Sequence, residues 1–398
     1  MKVAIVYNTA WYIYNFRRNL IRRLQAGGAT VHAICPPGPF FEALQDLGVI
    51  CHPIALESHS KNPLTEIRTF IQLYRALAEI CPDAVLSFTI KCNLYCGLMR
   101  NLLSYQLIAN VTGLGRAFDR PGIFCNLICR LYRFSLRRAN TVFFQNSEDK
   151  DLFAKLDLLR GVHSEVLPGS GVDIKEFRPS EDSAASNSTS ISSSVAALYS
   201  VAPLEGRSAS EKHPLKFLMF GRLLPKKGYD DFLSAAHLLK QTYGEKVEFQ
   251  ILGPVVDSDP ESIQLLARIE RAAIAGEVLY LGQSDSVLPI IRQADVVVLP
   301  SSYNEGVPRS LLEAIACGKP VITTDWKGCR ETVVPNRNGF LVPVGDVSKL
   351  VQAINSLIAA TPEKLKKMGT ESRKLAESKF DENFVLQKYE AVVGLMTS

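Results

Sequence analysis

Short apolar runs recur along this chain with an amphipathic segment after nearly every one, and that alternation admits few folds other than a layered α/β one. Ala294-Asp-Val-Val-Val-Leu-Pro300 is typical. A nearly continuous apolar run, lacking the in–out alternation of a half-solvated strand, reads as a parallel strand covered on both faces. In the first half the pattern predicts strands at Val3–Asn8, Thr30–Cys35, Val49–Ile54, Ala84–Phe88, Gln106–Val111, Thr141–Gln145 and Glu165–Leu167. Helices such as Leu64–Ile80 and Ser147–Leu158 lie between them. In the second half strands are expected at Lys216–Phe220, Val247–Leu252, Val278–Leu281, Val296–Leu299 and Val321–Thr323. A length of 398 residues is enough for two cores, so two doubly wound units in series are expected.

Between those units the chain changes character. Residues 180–210 hold eleven serines and almost no charge after Asp182, a composition with too little apolar surface to order itself. The expected division is therefore a first domain at 1–179, a flexible Ser-rich insertion at 180–213 and a second domain at 214–380. Residues 381–398 remain as a terminal helix, near Phe384–Leu395, packing back on the first domain.

Charge is unevenly placed. Residues 1–180 carry 21 Lys+Arg against 14 Asp+Glu, a balance of +7, which leaves −2 for the remainder of a chain whose net charge is +5. The excess peaks between Arg100 and Arg138, where seven arginines face one acid, Asp119. A basic first half suits an anionic partner such as lipid headgroups or a diphosphate, and it also suits a solvated basic face. Met1-Lys2 leads straight into a strand-like run, and no apolar stretch approaches a membrane span, so a cytoplasmic protein is expected. Nine scattered cysteines point to a reducing compartment rather than a disulfide framework.

The most informative stretch for chemistry is Glu305-Gly-Val-Pro-Arg-Ser-Leu-Leu-Glu313, directly after the run that ends at Pro300. Pro308 suits the first turn of a helix. That places Glu305 in a strand-to-helix turn whose amides at Gly306 and Val307 are free to meet an anion, with Glu313 further along the helix. A second cluster, Phe220-Gly221-Arg222-Leu-Leu-Pro-Lys226-Lys227-Gly228, follows the first strand of the second unit. Both clusters then lie at carboxyl ends of parallel strands, where α/β proteins bind ligands. An arginine fork beside an ammonium is a suitable pair for a diphosphate.

In these elements, together with Cys317-Gly-Lys-Pro-Val-Ile and Asn338-Gly-Phe-Leu-Val342, the chain resembles the retaining nucleotide-sugar glycosyltransferases of family 4, the group 1 glycosyltransferases. The resemblance implies the GT-B fold, two facing Rossmann-like domains with the active site in the cleft between them. It implies that Gly221, Arg222 and Lys227 hold the donor diphosphate and that Glu313 bonds the ribose. Glu305 would contact the transferred sugar, Gly306 and Val307 would be among the donor-binding residues, and Gly282-Gln283 would border the base. Catalytic roles fall to Glu305, Arg222 and Lys227. Asn338–Val342 is expected as a loop.

In the first half, Ser87-Phe-Thr-Ile-Lys91-Cys-Asn93, Asn110-Val-Thr112-Gly113-Leu-Gly115, Val142-Phe-Phe-Gln145-Asn146 and Leu167-Pro-Gly-Ser-Gly171-Val-Asp173 are similar to bacterial members that extend glycans on polyprenyl diphosphate. Acceptor contacts are expected at Asn15, Arg17, Lys91, Thr112 and Gly113. One departure is the loop after the first strand, Asn8-Thr-Ala-Trp11-Tyr-Ile-Tyr14-Asn15-Phe16-Arg17, which lacks the glycines many members carry there.

The implied function is transfer of a hexose or N-acetylhexosamine from a UDP-sugar to a polyprenyl-diphosphate-linked glycan, with retention and without a metal or other cofactor. Asp257-Ser-Asp259 looks like the metal-binding Asp-x-Asp of a different glycosyltransferase fold, yet it precedes Pro260 and a helix, where capping explains it. Cys92/Cys96 and Cys125/Cys129 lack ligand-spaced histidines. Residues 121–138 combine aromatics and leucines with arginines, as helices on anionic membranes do, and the expected location is the inner face of the cytoplasmic membrane. A nucleotide-sugar 2-epimerase and a non-catalytic nucleotide-binding scaffold are the competing readings.

Overall fold

The structure, a computed structural model, describes residues 1–57, 62–118, 122–180, 213–256 and 259–395. Nearly all of the Ser-rich insertion expected at 180–213, and Asp257 of the Asp-x-Asp element, lie outside the described residues.

Two compact units emerge. The first comprises Met1–Gly171, Asn304–Val307 and Glu382–Ser398; the second comprises Val172–Tyr303 and Pro308–Asp381. Unit 1 is built on a seven-stranded, wholly parallel sheet in the order β3-β2-β1-β4-β5-β6-β7. Its strands are β1 Lys2–Val6, β2 Thr30–Cys35, β3 Ile50–Pro53, β4 Ala84–Phe88, β5 Gln106–Val111, β6 Thr141–Phe144 and β7 Ser164–Val166. The helices are α1 Ala10–Ala26, α2 Phe40–Asp46, α3 Pro63–Ile80, α4 Ile90–Met99, α5 Ile123–Ser135 and α6 Ser147–Lys155. The strands at the centre of the sheet are buried along almost their whole length, which is why they read as apolar runs.

Each face of this sheet has its own core. One is formed by Leu73, Leu77, Cys96, Met99, Ile128, Tyr132 and Phe153 from α3–α6. The other gathers Ile13, Leu20 and Leu24 of α1 with Val385, Leu386, Tyr389 and Val393 of the last helix, Glu382–Val393. That helix is tied into unit 1 by Arg23–Glu390 (3.4 Å) and Lys388–Glu165 (2.8 Å), and by the Tyr389 hydroxyl, which donates to Asn110 Oδ1.

The edge of this sheet carries a histidine pair. His32 Nδ1 on β2 lies 3.0 Å from His52 Nε2 on β3. Burial lowers the pKa of both; for His32 the neighbouring ring and Lys2 lower it further, whereas Glu79 partly opposes the fall at His52. The unfolded chain therefore binds more protons than the native one. Stability is intact above the ordinary histidine value of 6.5 and is lost as pH falls below it. We expect the drop in Tm between about pH 7.5 and about pH 5.5 to shrink in His52→Gln. An unchanged drop would sink this assignment.

Unit 2 has a six-stranded parallel sheet in the order β10-β9-β8-β11-β12-β13. Its strands are β8 Leu215–Phe220, β9 Val247–Leu252, β10 Leu279–Tyr280, β11 Val296–Leu299, β12 Val321–Thr324 and β13 Gly339–Val342. Helices α7 Tyr229–Tyr243, α8 Pro260–Ile274, α9 Leu288–Gln293, α10 Arg309–Ala316, α11 Val347–Ile358 and α12 Pro362–Leu375 accompany it; Glu382–Val393, above, is α13. Two local expectations are corrected. Asn338–Val342 is not a loop: Gly339–Val342 is β13, paired in parallel with β12. It was missed because Phe340 and Leu341 are only half-buried at the sheet edge. Pro308 caps α10 with an extended ψ of 124°, and the helical turn begins one residue later at Arg309.

Candidate functional site

In unit 2 three strands end in the same way: Phe220-Gly221 after β8, Leu252-Gly253 after β9, and Gly282 shortly after β10. These glycines form a ladder of bare backbone across the carboxyl end of the sheet. Gly221 N donates to Leu252 O (3.0 Å) and Gly253 N to Gly282 O (2.7 Å). Gly253 has φ +155°, and a Cβ there would stand 1.8 Å from Gly221 O. The tyrosine hydroxyls of Tyr229 and Tyr280 pin the ladder by donating to Gly221 O (2.6 Å) and Gly253 O (3.0 Å). Gly253 was not among the predicted site residues, although the thrice-repeated pattern of strand, then glycine, was there to be read.

The basic cluster sits on this ladder. Pro225–Lys227 is a single 3-10 turn, and Gly228, at φ +87°, starts α7. A Cβ on Gly228 would lie 2.1 Å from Pro300 O, so the turn packs directly on the end of β11. Ser302 N donates to Lys226 O (2.8 Å), joining the loop after β11 to the same turn. Lys227 is buried, and its Nζ lies 3.6 Å from where a Cβ of Gly221 would be, so the ammonium reaches across the glycine that precedes half-buried Arg222. Of the predicted pair, Lys227 thus reaches the glycine next to Arg222 in the chain, with Gly282 at the far end of the ladder and exposed Gln283 beside it.

Glu313 is buried in α10. Burial raises its pKa, and Arg309, one turn earlier with Nε 2.9 Å from Oε1, pulls against that rise. A carboxylate held in this way keeps acceptor capacity for a hydroxyl partner. Arg309 also approaches the Phe177 ring at 6.0 Å.

Within unit 1 the structure brings Glu305 and Gly306 together with two predicted acceptor residues, Thr112 and Gly113. Gly306 N donates to Thr112 O (3.0 Å) and Gly115 N to Asn304 O (2.9 Å). A Cβ on Gly113 (φ +133°) would stand 2.7 Å from Glu305 Cα, and one on Gly306 would meet Gln145. The Gly306 amide, expected to be free, is therefore spent on Thr112. The Val307 side chain is buried.

The other acceptor candidates engage groups of unit 1. Asn15 Nδ2 donates to Trp11 O on its own helix (2.9 Å). Lys91 Nζ is 2.7 Å from both Glu66 Oε1 and Glu57 O. Arg17 is buried, with its guanidinium 4.4 Å from the Phe88 ring centroid. Its charge pulls down on the phenols of Tyr7 and Tyr389, which burial pushes up. Beneath Thr112 lies a polar network absent from the sequence reading: Ser87 Oγ donates to Asn93 Oδ1 (2.8 Å), Asn93 Nδ2 to Asn110 O (2.8 Å) and Asn110 Nδ2 to Ser87 O (3.1 Å). Among the described residues no cluster of three or more His, Cys, Asp or Glu side chains could hold a metal ion. Asp259 caps α8 by accepting from Glu261 N.

The chain is similar to known glycosyltransferases. The family model for "Glycosyl transferases group 1" matches residues 204–375, and that for "Glycosyl transferase 4-like" matches residues 2–146. The N,N'-diacetylbacillosaminyl-diphospho-undecaprenol alpha-1,3-N-acetylgalactosaminyltransferase of Campylobacter jejuni is 27% identical over 98% of this chain and 97% of its own length. An Escherichia coli UDP-Gal:alpha-D-GlcNAc-diphosphoundecaprenol alpha-1,3-galactosyltransferase is 24% identical over 84% of this chain and 81% of its own. Among solved structures, Anabaena HepE in complex with UDP and glucose aligns with a TM-score of 0.76 at 18% identity, covering 100% of both chains. Sucrose-phosphate synthase from Thermosynechococcus elongatus aligns at 0.75 and 16%, covering 98% of both. At these identities the structural likeness is one of fold, that of the GT-B proteins.

Proposed function

The chain belongs to the group 1 glycosyltransferases, and we propose that it transfers a hexose or N-acetylhexosamine from a UDP-sugar to a glycan carried on polyprenyl diphosphate, with retention at the anomeric carbon. The observation that supports this reading is the buried Lys227 ammonium lying across Gly221, the residue before Arg222, on a floor of glycine backbone. A diphosphate fits such a place: no Cβ obstructs its approach, and fork and ammonium neutralise the charge that grows as the sugar leaves. The reading of the acceptor draws on the two relatives whose names specify an undecaprenyl-diphosphate-linked acceptor.

In this mechanism Glu313 binds the ribose, Gln283 borders the base, and Glu305 binds hydroxyls of the transferred sugar beside Thr112 and Gly113. No carboxylate is assigned as a nucleophile. The acceptor oxygen bonds to the anomeric carbon on the face from which the diphosphate departs, and a departing phosphate oxygen takes the hydroxyl proton. The enzyme's part is positioning and charge stabilisation, and no metal is invoked. The acceptor places the reaction at the cytoplasmic membrane surface, where capsule, exopolysaccharide, O-antigen or glycoprotein glycans are extended.

The test is release of nucleoside diphosphate from a panel of UDP- and GDP-sugars, with membrane-extracted polyprenyl-diphosphate glycans as acceptors. Turnover should require one UDP-sugar and the lipid acceptor together. Interconversion of the donor sugar without acceptor would replace this reading with the epimerase. Tight nucleotide binding without turnover would replace it with the scaffold.

A further inference from the structure

Helices α3 and α5 bury their inner faces in the same core layer of unit 1, α3 through Leu73 and Leu77, α5 through Ile128 and Tyr132. Both therefore turn their opposite faces outward on one side of the sheet. Those outward faces are not polar. On α5, Ile123 is 90% exposed and Leu127 and Phe134 are exposed with it; together with Arg130 they fall at positions i, i+4, i+7 and i+11, a single stripe opposite the core. On α3, Leu64 is 76% exposed, and exposed Ile67 and Ile71 continue its line.

The charge beside the stripe on α5 has one sign. From Gly122 to Ser147 the sequence has four arginines and no acid. Arg133 is spent on the carbonyls of Leu156 and Asp157. Arg130 and Arg138 are exposed, and Arg137 stacks on Phe134 at 3.9 Å, which holds its charge beside the apolar edge. A second copy of this chain is a poor occupant, because a symmetric contact would set arginines against arginines with no carboxylate on α5 to offset them. An anionic bilayer accepts both parts: aliphatic side chains enter the acyl boundary while guanidinium groups stay among the headgroups.

We propose that the outward faces of α5 and α3 form a docking surface for an anionic phospholipid membrane. The proposal rests in part on the reading of a lipid-linked acceptor, which a protein docked on the bilayer would meet at the surface. No described helix is long and apolar enough to cross a membrane, so the contact is peripheral along these helices.

The experiment is co-sedimentation of the full chain with acceptor-free phosphatidylcholine vesicles, with and without phosphatidylglycerol. Wild type should bind the phosphatidylglycerol vesicles and lose binding as salt rises. The pairs Ile123→Asp/Leu127→Asp and Leu64→Asp/Ile67→Asp should each bind about tenfold more weakly. Arg130→Gln should cost about fivefold at low salt. All variants should keep the wild-type Tm and the wild-type rate on a detergent-solubilised, short-chain acceptor. The proposal is overturned if wild type ignores phosphatidylglycerol, or if neither aspartate pair weakens binding. It is also overturned if light scattering shows a dimer that the aspartates dissolve while vesicle binding persists. Because the vesicles hold no acceptor, a chain that docks but transfers no sugar would refute the proposed function and leave the docking surface standing.

Discussion

Alanine in place of Arg222 is expected to slow sugar transfer by roughly 10²–10³-fold, with Lys227→Ala similar, by analogy with losing one preorganised donor at a site of developing charge. The loss should fall mainly on kcat, because charge on the diphosphate grows as the glycosidic bond lengthens and stabilisation gained only then is what speeds the step. Arg222→Lys separates charge from geometry. It keeps the cation but not the planar fork, and so should recover only part of the rate. Steady-state release of nucleoside diphosphate with saturating acceptor measures all three. If Arg222→Ala turned over within a few-fold of wild type, the diphosphate would have to be held elsewhere and the glycine ladder would lose its assigned role.

The second large effect is on folding. Gly253→Ala and Gly228→Ala each place a methyl group against a backbone carbonyl, 1.8 Å from Gly221 O and 2.1 Å from Pro300 O. A strand end cannot yield as a side chain can. Each substitution should therefore cost roughly 3–5 kcal/mol, combining overpacking with a strained backbone. Gly276 supplies the control, since its φ of +73° is similarly unusual for other residues but nothing lies within 4 Å of its would-be Cβ. Gly276→Ala should cost only about 1 kcal/mol, the conformational part alone. Urea unfolding of the three variants decides the matter, and equal losses at Gly253 and Gly276 would show that close approach contributes nothing.

The sequence was most legible where burial is complete. Strands β2, β4, β5, β9 and β11 match their expected bounds because parallel strands buried along most of their length carry mainly apolar residues. It was least legible where the partner of a group is remote in the chain. Nothing near Gly306 indicates that its amide bonds to Thr112, and nothing near Lys91 indicates Glu66, 25 positions earlier. Arg17 lies between these cases. The buried positions Ala10, Ile13, Arg17, Leu20, Ile21 and Leu24 follow one helical stripe, so periodicity alone places this arginine against the core. The basic turn needed no remote partner, and its location at a strand end was readable directly.

The last helix also bears on the order in which the molecule can be assembled. Tyr389 closes the core of unit 1 from 279 positions beyond Asn110, and Val385, Leu386 and Val393 fill the same layer. During synthesis the residues made first must therefore wait, with α1 and part of one face of their sheet uncovered, while all of unit 2 emerges from the ribosome. Unit 2 can close its own sheet before that, so the half translated second is the half free to fold first. A fragment ending at Gly171 would carry that uncovered layer permanently, and chaperone capture of nascent chains should fall only once α13 has been released.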